Sequence, residues 1–219
     1  MKLIKLSALC FALNGLFSSL AGAADLGTDL RAVQDSWATV NYELQDKARE
    51  AGFEALIKDS QRLVEHFPEN AESHIWHGIV QSSFAGAKGG LGALGLAEAA
   101  KEELEKAIAI DEKALQGSAL TSLGTLYAKV PGWPIGFGSD KKARALFEKS
   151  LQINPDGLDI NYFYAEFLYD DKKYQAAFEH LQKAKAAPPR IGREKADKYR
   201  QQEVDMLLAK VEKKLKKHK

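Results

Sequence analysis

Two histidines, His74 and His77, stand three residues apart in a helix-period segment, so their rings could share a metal ion. No third ligand lies at a suitable spacing, and both flank Trp76. They are therefore expected as core or half-buried histidines, with no metal site. Lys88-Gly89-Gly90-Leu91-Gly92 glances at a phosphate-cradling loop. Such a loop needs Lys and then Ser or Thr after its last glycine, and it should follow a strand. Here Ala93 and Leu94 follow, and the preceding segment has helical periodicity. A flexible inter-helix turn is the expectation. The adjacent carboxylates Asp170 and Asp171 lie at a helix end beside lysines and suit capping and solvation. No nucleophile elbow or ordered Ser/His/Asp set is present in the sequence. The chain is expected to be no enzyme and to need no cofactor.

Binding chemistry is better represented. Residues 130–140 contain two prolines and three glycines around Trp133, Ile135 and Phe137. A loop with so much apolar surface either packs on its own scaffold or offers anchors to a partner. The sequence leaves both open.

The elements that position these residues are helices. Apolar residues recur at helical spacing from Leu30 to Leu215, and no stretch alternates as a strand would. A first helix is expected over 28–50, carrying Leu30, Val33, Trp37, Val40 and Leu44 on one face. A second is expected over 51–66, ended by Phe67-Pro68-Glu69-Asn70. Further on, Ala143, Phe147, Ser150 and Pro155 recur as Ala177, Leu181, Ala184 and Pro189, each pair 34 residues apart. Leu120, Leu123, Gly124 and Tyr127 give L-x2-L-G-x2-Y.

That period and those residues resemble the tetratricopeptide (TPR) repeat, a helix–turn–helix unit that stacks into an α-solenoid. The resemblance covers 71–191 well and 24–70 only as a degenerate helical pair. Gly78, Gly124 and Ala165 fall where the two helices of a repeat cross closely, opposite Ala100, Ala143 and Ala177. The last of these pairs has the uninterrupted TPR spacing of 12 residues, whereas the others are 22 and 19 apart. Two inserted turns, near 85–95 and 130–140, are expected side by side on one edge. A helix from about 194 to 215 should cap the stack, with a charged outer face. At a finer level, Val130-Pro131-Gly132-Trp133-Pro134-Ile135-Gly136-Phe137-Gly138, Asn154-Pro155-Asp156-Gly157 and Asn161-Tyr162-Phe163-Tyr164 resemble uncharacterised exported bacterial TPR proteins. The chain is more distantly similar to the periplasmic TPR partner of TRAP-type transporters.

The TPR resemblance implies a concave face built by the first helix of each repeat. In the last repeat these residues are Asp159, Tyr162, Glu166, Tyr169 and Asp170; before them come Ser118, Thr121, Thr125 and Lys129. Glu72, Ile75, Ile79, Ser82 and Ser83 belong to the earliest clear repeat. An acidic, tyrosine-rich end could hold a peptide or a cationic group. The partner-binding candidates are Trp133, Ile135, Phe137, Tyr162, Glu166, Tyr169 and Asp170.

Residues 1–23 read as a cleaved signal peptide: Lys2 and Lys5, an apolar run, then Ala21-Gly22-Ala23. The only cysteine, Cys10, lies inside it, so the mature chain is expected to form no disulfide. Removing two lysines and no acid takes the net charge from +1 to −1, which argues against a nucleic-acid binder. No later segment is apolar enough to span a bilayer. The basic tail 213–219 could make weak contact with an anionic surface or simply complement the helix dipole. Together these features predict an exported, periplasmic protein that docks a protein or peptide partner of the cell envelope. The alternative is an accessory small-ligand or solute-binding component of a TRAP-type transporter.

Overall fold

The computed structural model describes residues 25–217. The expected signal peptide, Cys10 and the last two residues of the basic tail lie outside the described residues. Nine α-helices follow one another among the described residues, with no strand. They are α1 (Leu26–Tyr42), α2 (Asp46–His66), α3 (Ala71–Lys88), α4 (Gly90–Asp111), α5 (Ser118–Lys129), α6 (Asp140–Ile153), α7 (Leu158–Asp170), α8 (Tyr174–Ala186) and α9 (Glu194–Lys217). Consecutive helices pack as antiparallel pairs, and the pairs stack into an α-solenoid.

The crossings follow the small-residue pattern. Ala100, Ala143, Ala165 and Ala177 are wholly buried. A Cβ on Gly78 would lie 2.8 Å from Leu104 Cγ and 3.2 Å from the Ala100 carbonyl oxygen. On Gly124 it would lie 3.1 Å from the Phe147 ring and 3.4 Å from the Ala143 carbonyl oxygen. At these two positions only hydrogen lets the helices approach, because overpacking a dense core forces backbone shifts. Both members of the 34-residue echo face inward: Ala143, Phe147 and Ser150 in α6, and Ala177, Leu181 and Ala184 in α8.

Local chemistry sets the helix ends. The Asn70 side chain accepts from the Glu72 amide at 2.8 Å, an N-cap that starts α3 just after the Pro68 stop. Asn161, fully buried, donates to the carbonyls of Pro155 and Gly157 at 2.9 Å each and locks the turn before α7. The Asn154-Pro155-Asp156-Gly157 motif is thus tied to the helix that follows it.

Two expectations are corrected. The first helix ends at Tyr42, not near residue 50, and α2 begins at Asp46. A Cβ on Gly52 would sit 3.0 Å from Val40 Cγ2 and 3.1 Å from Leu44 Cδ1, so this region is a helix–helix crossing between α1 and α2. The glycine-rich segment 85–95 is not an inserted turn. Its residues extend α3 to Lys88 and start α4 at Gly90, with Gly89 alone between them at φ 62°. The extra length between Gly78 and Ala100 has become helix, because Ala, Leu and Lys supply propensity that isolated glycines only weaken.

The first and last helices of the chain meet. Tyr42 in α1 stacks on Tyr199 in α9 with ring centroids 4.8 Å apart. Lys195 donates to Thr39 Oγ1 at 2.9 Å and to Glu43 at 3.0 Å. Helices α1, α3, α5, α7 and α9 therefore touch in succession and close into an inner ring, with α2, α4, α6 and α8 outside. Helix α9 caps the stack against α8, as expected, and it also completes this ring. Its inner face is not simply apolar, since Asp197 and Arg200 are among its buried residues.

Candidate functional site

The inner ring encloses a chamber of about 1540 Å³. That exceeds the ~300–1,000 Å³ of most small-molecule pockets, so it has room for an extended segment of several residues. Its walls combine apolar and polar groups. Trp37, Trp76, Ile79, Leu126 and Phe163 supply the first, and Ser83, Ser122, Thr125 and Lys129 the second. The Trp37 indole donates to Ser83 Oγ at 2.9 Å, which fixes its ring. Most of the concave-face residues expected from the TPR pattern line this chamber: Ser82 and Ser83 from α3, Ser118, Thr121 and Thr125 from α5, and Asp159, Tyr162 and Glu166 from α7. Ile75 does not, because it is wholly buried in the core.

The seven binding candidates fall into three places. Tyr162 and Glu166 face the chamber. Tyr169 packs against Tyr174 at 5.5 Å, and Asp170 is an exposed residue that accepts from Lys129 at 3.0 Å. Neither of these two lines the chamber. Trp133, Ile135 and Phe137 lie on the loop between α5 and α6.

That loop is fixed at its base and open at its tip. Ser139 N donates to the Tyr127 carbonyl at 2.8 Å, and Gly138 N to the Pro131 carbonyl at 3.0 Å. Phe137 packs edge-on to Tyr127 with centroids 5.5 Å apart. A Cβ on Gly136 would stand 3.3 Å from Leu94 Cδ1, so the loop lies against the start of α4. Trp133 is 91% exposed and Ile135 64% exposed. Ile135 also reaches the chamber wall, which places the loop at its lip.

The acidic end of the concave face is already engaged by the protein's own cations. Asp159 accepts from Arg190 Nη1 at 2.6 Å and from Arg200 Nε at 2.9 Å. Burial alone would raise its pKa, but the two guanidiniums outweigh that and hold it well below the usual carboxylate range. Arg200 also lies over the rings of Tyr162 and Phe163, 4.6 Å and 4.4 Å from their centroids. The cation-binding surface expected at Tyr162 is thus filled from within. Burial pushes the Tyr42 hydroxyl up to about 12 and raises Glu203, despite the nearby Arg200. Burial also opposes the charge on Lys129, yet Glu166 and Asp170 prevail and raise its pKa.

Arg190, Arg193 and Arg200 were not among the sequence candidates. They lie after the last repeat, in the connection to α9 and on its first turns. Three arginines within eleven residues were visible in the sequence. Only closure of the ring turns them toward the concave face.

The histidines are structural. His74 Nδ1 lies 2.6 Å from Glu103 and its Nε2 lies 2.8 Å from the Pro68 carbonyl. His77 lies 2.9 Å from both Ser60 Oγ and Gln81 Nε2. With both nitrogens of each ring engaged by protein groups, neither is positioned to share a metal.

No protein-family model and no curated protein matches this chain. Among solved structures it is similar to one described as the functional characterization of Pseudomonas aeruginosa pilF. The identity is 17%, covering 86% of this chain and 92% of that one, with a TM-score of 0.34. The architecture given above rests on this chain's own helices. Among the described residues, no helix is long and apolar enough to cross a membrane.

Proposed function

We propose that this protein is a non-catalytic binding protein of the bacterial cell envelope, exported to the periplasm, which docks a segment of a protein partner in its concave chamber. The observation that carries this reading is the closed inner ring around a chamber of about 1540 Å³, with an anchored loop presenting Trp133 and Ile135 at its lip. Large, rigid, exposed aromatic and aliphatic groups beside a concavity are the usual anchors of an interface. The chamber wall contributes small hydroxyls and apolar rings, which suit an extended chain with mixed side chains.

The test is capture from envelope extract with two baits, the native protein and Ser122→Trp. Ser122 lines the chamber, and an indole there occupies part of it. A partner retained by the native bait and lost by the variant, with the melting curve unchanged, supports docking in the chamber. Equal capture by both baits removes the chamber from the interface.

A further inference from the structure

The corner of the chamber where α1 meets α9 holds a cation, Arg193, with no carboxylate in contact among the described residues. Arg193 lies over the Trp76 ring at 4.7 Å and reaches Trp37 at 6.0 Å. The guanidinium thus sits against the Trp76 ring, with Trp37 beside it. Among the described residues, no carboxylate oxygen lies within 4.0 Å of it.

The neighbouring acids are committed elsewhere. Asp159 gives one oxygen to Arg190 and the other to Arg200. Asp197 accepts from Arg190 Nε and from the Arg190 amide, both at 2.8 Å. Glu203 takes Arg200 and the Tyr42 hydroxyl. Asp159 and Asp197 act on Arg193 only at a distance, and Arg190 opposes them. Arg31, at the same corner, donates to the Ile191 carbonyl at 3.5 Å and also has no ion-pair partner among the described residues. Glu194 is near enough to Arg31 to feel its charge.

A half-buried guanidinium without a carboxylate has given up part of its hydration, which ring faces replace only in part. Its planar fork is preorganised for two parallel hydrogen bonds to one carboxylate. Around it the wall is aromatic. We propose that Arg193 anchors a carboxylate borne by an apolar body inside the chamber, and that Trp76 and Trp37 orient the fork that receives it. This rests on the reading of the chamber as a binding site, and it names the chemistry of what enters. The carboxylate can come from the end of a partner chain or from a free organic acid.

Isothermal titration with matched pairs separates these. The small pair is 4-phenylbutanoate and 4-phenylbutanamide. The peptide pair is N-acetyl-Gly-Ala-Leu-Ala-Phe with a free or an amidated terminus. The expected result is at least about tenfold tighter binding of an acid than of its amide, as a charged hydrogen-bonded pair gives. Arg193→Gln should erase that preference, and Arg193→Lys should keep part of it. A preference confined to the peptide pair identifies a chain end as the source; one shared by the small pair identifies any apolar acid. Equal binding of acid and amide overturns the proposal, as does failure of the native protein to bind any of the four. So does a preference that survives in a well-folded Arg193→Gln protein. None of these failures touches partner capture by the native bait, so they leave the docking proposal standing.

Discussion

Asp159 ties Arg190 to Arg200, accepting from one at 2.6 Å and from the other at 2.9 Å. Arg190 belongs to the connection after α8 and Arg200 to α9, while Asp159 opens α7. One carboxylate thus fixes the angle at which the last helix returns to close the ring.

Asp159→Asn should therefore destabilise the protein by about 2 kcal/mol. Breaking a wholly buried pair costs about 3–5 kcal/mol, and this one is screened because a third of the Asp159 side chain stays exposed (33%). The sign with pH follows from the depressed pKa. The stabilisation is complete above the ordinary carboxylate pKa of about 4 and is lost as the pH falls below it. Melting curves between pH 7 and pH 3 should show a shallower acid slope in the variant. A variant as stable as the native protein would mean that the ring closes without this bridge.

The solenoid was legible in the sequence because helix crossings impose a strict size limit. Gly78 and Gly124 have no room for a side chain and Ala165 is wholly buried, and the 34-residue echo marks the partner helices of the last two crossings. The closure of the ring was not legible. It depends on the cumulative rotation of four helix pairs, to which no single spacing corresponds. The sequence consequently singles out none of the arginines at 190, 193 and 200. The glycine-rich stretch misled for a different reason. Gly86, Gly92 and Gly95 mark a break when judged by propensity alone, but packing of α3 against α4 along their length offsets a cost of about 1 kcal/mol per glycine.

The glycines give a paired prediction. Gly78→Ala should destabilise by about 1–3 kcal/mol, since the new methyl meets Leu104 and the backbone of Ala100. Gly95→Ala should stabilise by about 0.5–1 kcal/mol, since a Cβ there has nothing within 4 Å and the residue is helical. Urea unfolding midpoints moving in opposite directions would bear this out. A Gly95→Ala midpoint at or below that of the native protein would argue that the segment is not helical in solution.

Mild acid should also weaken the fold through its histidines. Burial lowers the pKa of His77, which Glu103 only partly offsets, and burial with Lys183 lowers that of His180. A base whose folded pKa is depressed contributes stability that is complete above its unfolded value of about 6.5 and is lost as the pH falls. The urea midpoint should drop between pH 7 and pH 5.5. His77→Gln should flatten part of that drop and His180→Gln another part. An unchanged slope in both variants would assign the effect to other groups.

Trp133 separates binding from folding. Its side chain is 91% exposed at the tip of a loop whose base is held by Phe137, Tyr127 and backbone hydrogen bonds. Removing it takes away almost no buried contact, so Trp133→Ala should leave stability within about 0.5 kcal/mol of the native value. Phe137→Ala should instead lower the melting temperature, because its ring is the one that seats the loop. If the lip is part of the docking surface, Trp133→Ala should weaken partner binding by about 2 kcal/mol or more, as loss of a central anchor does. Circular dichroism melts beside surface plasmon resonance against the captured partner measure both quantities. A stable variant that binds at full strength would confine recognition to the chamber wall, where Tyr162 and Glu166 face the space that Arg193 guards.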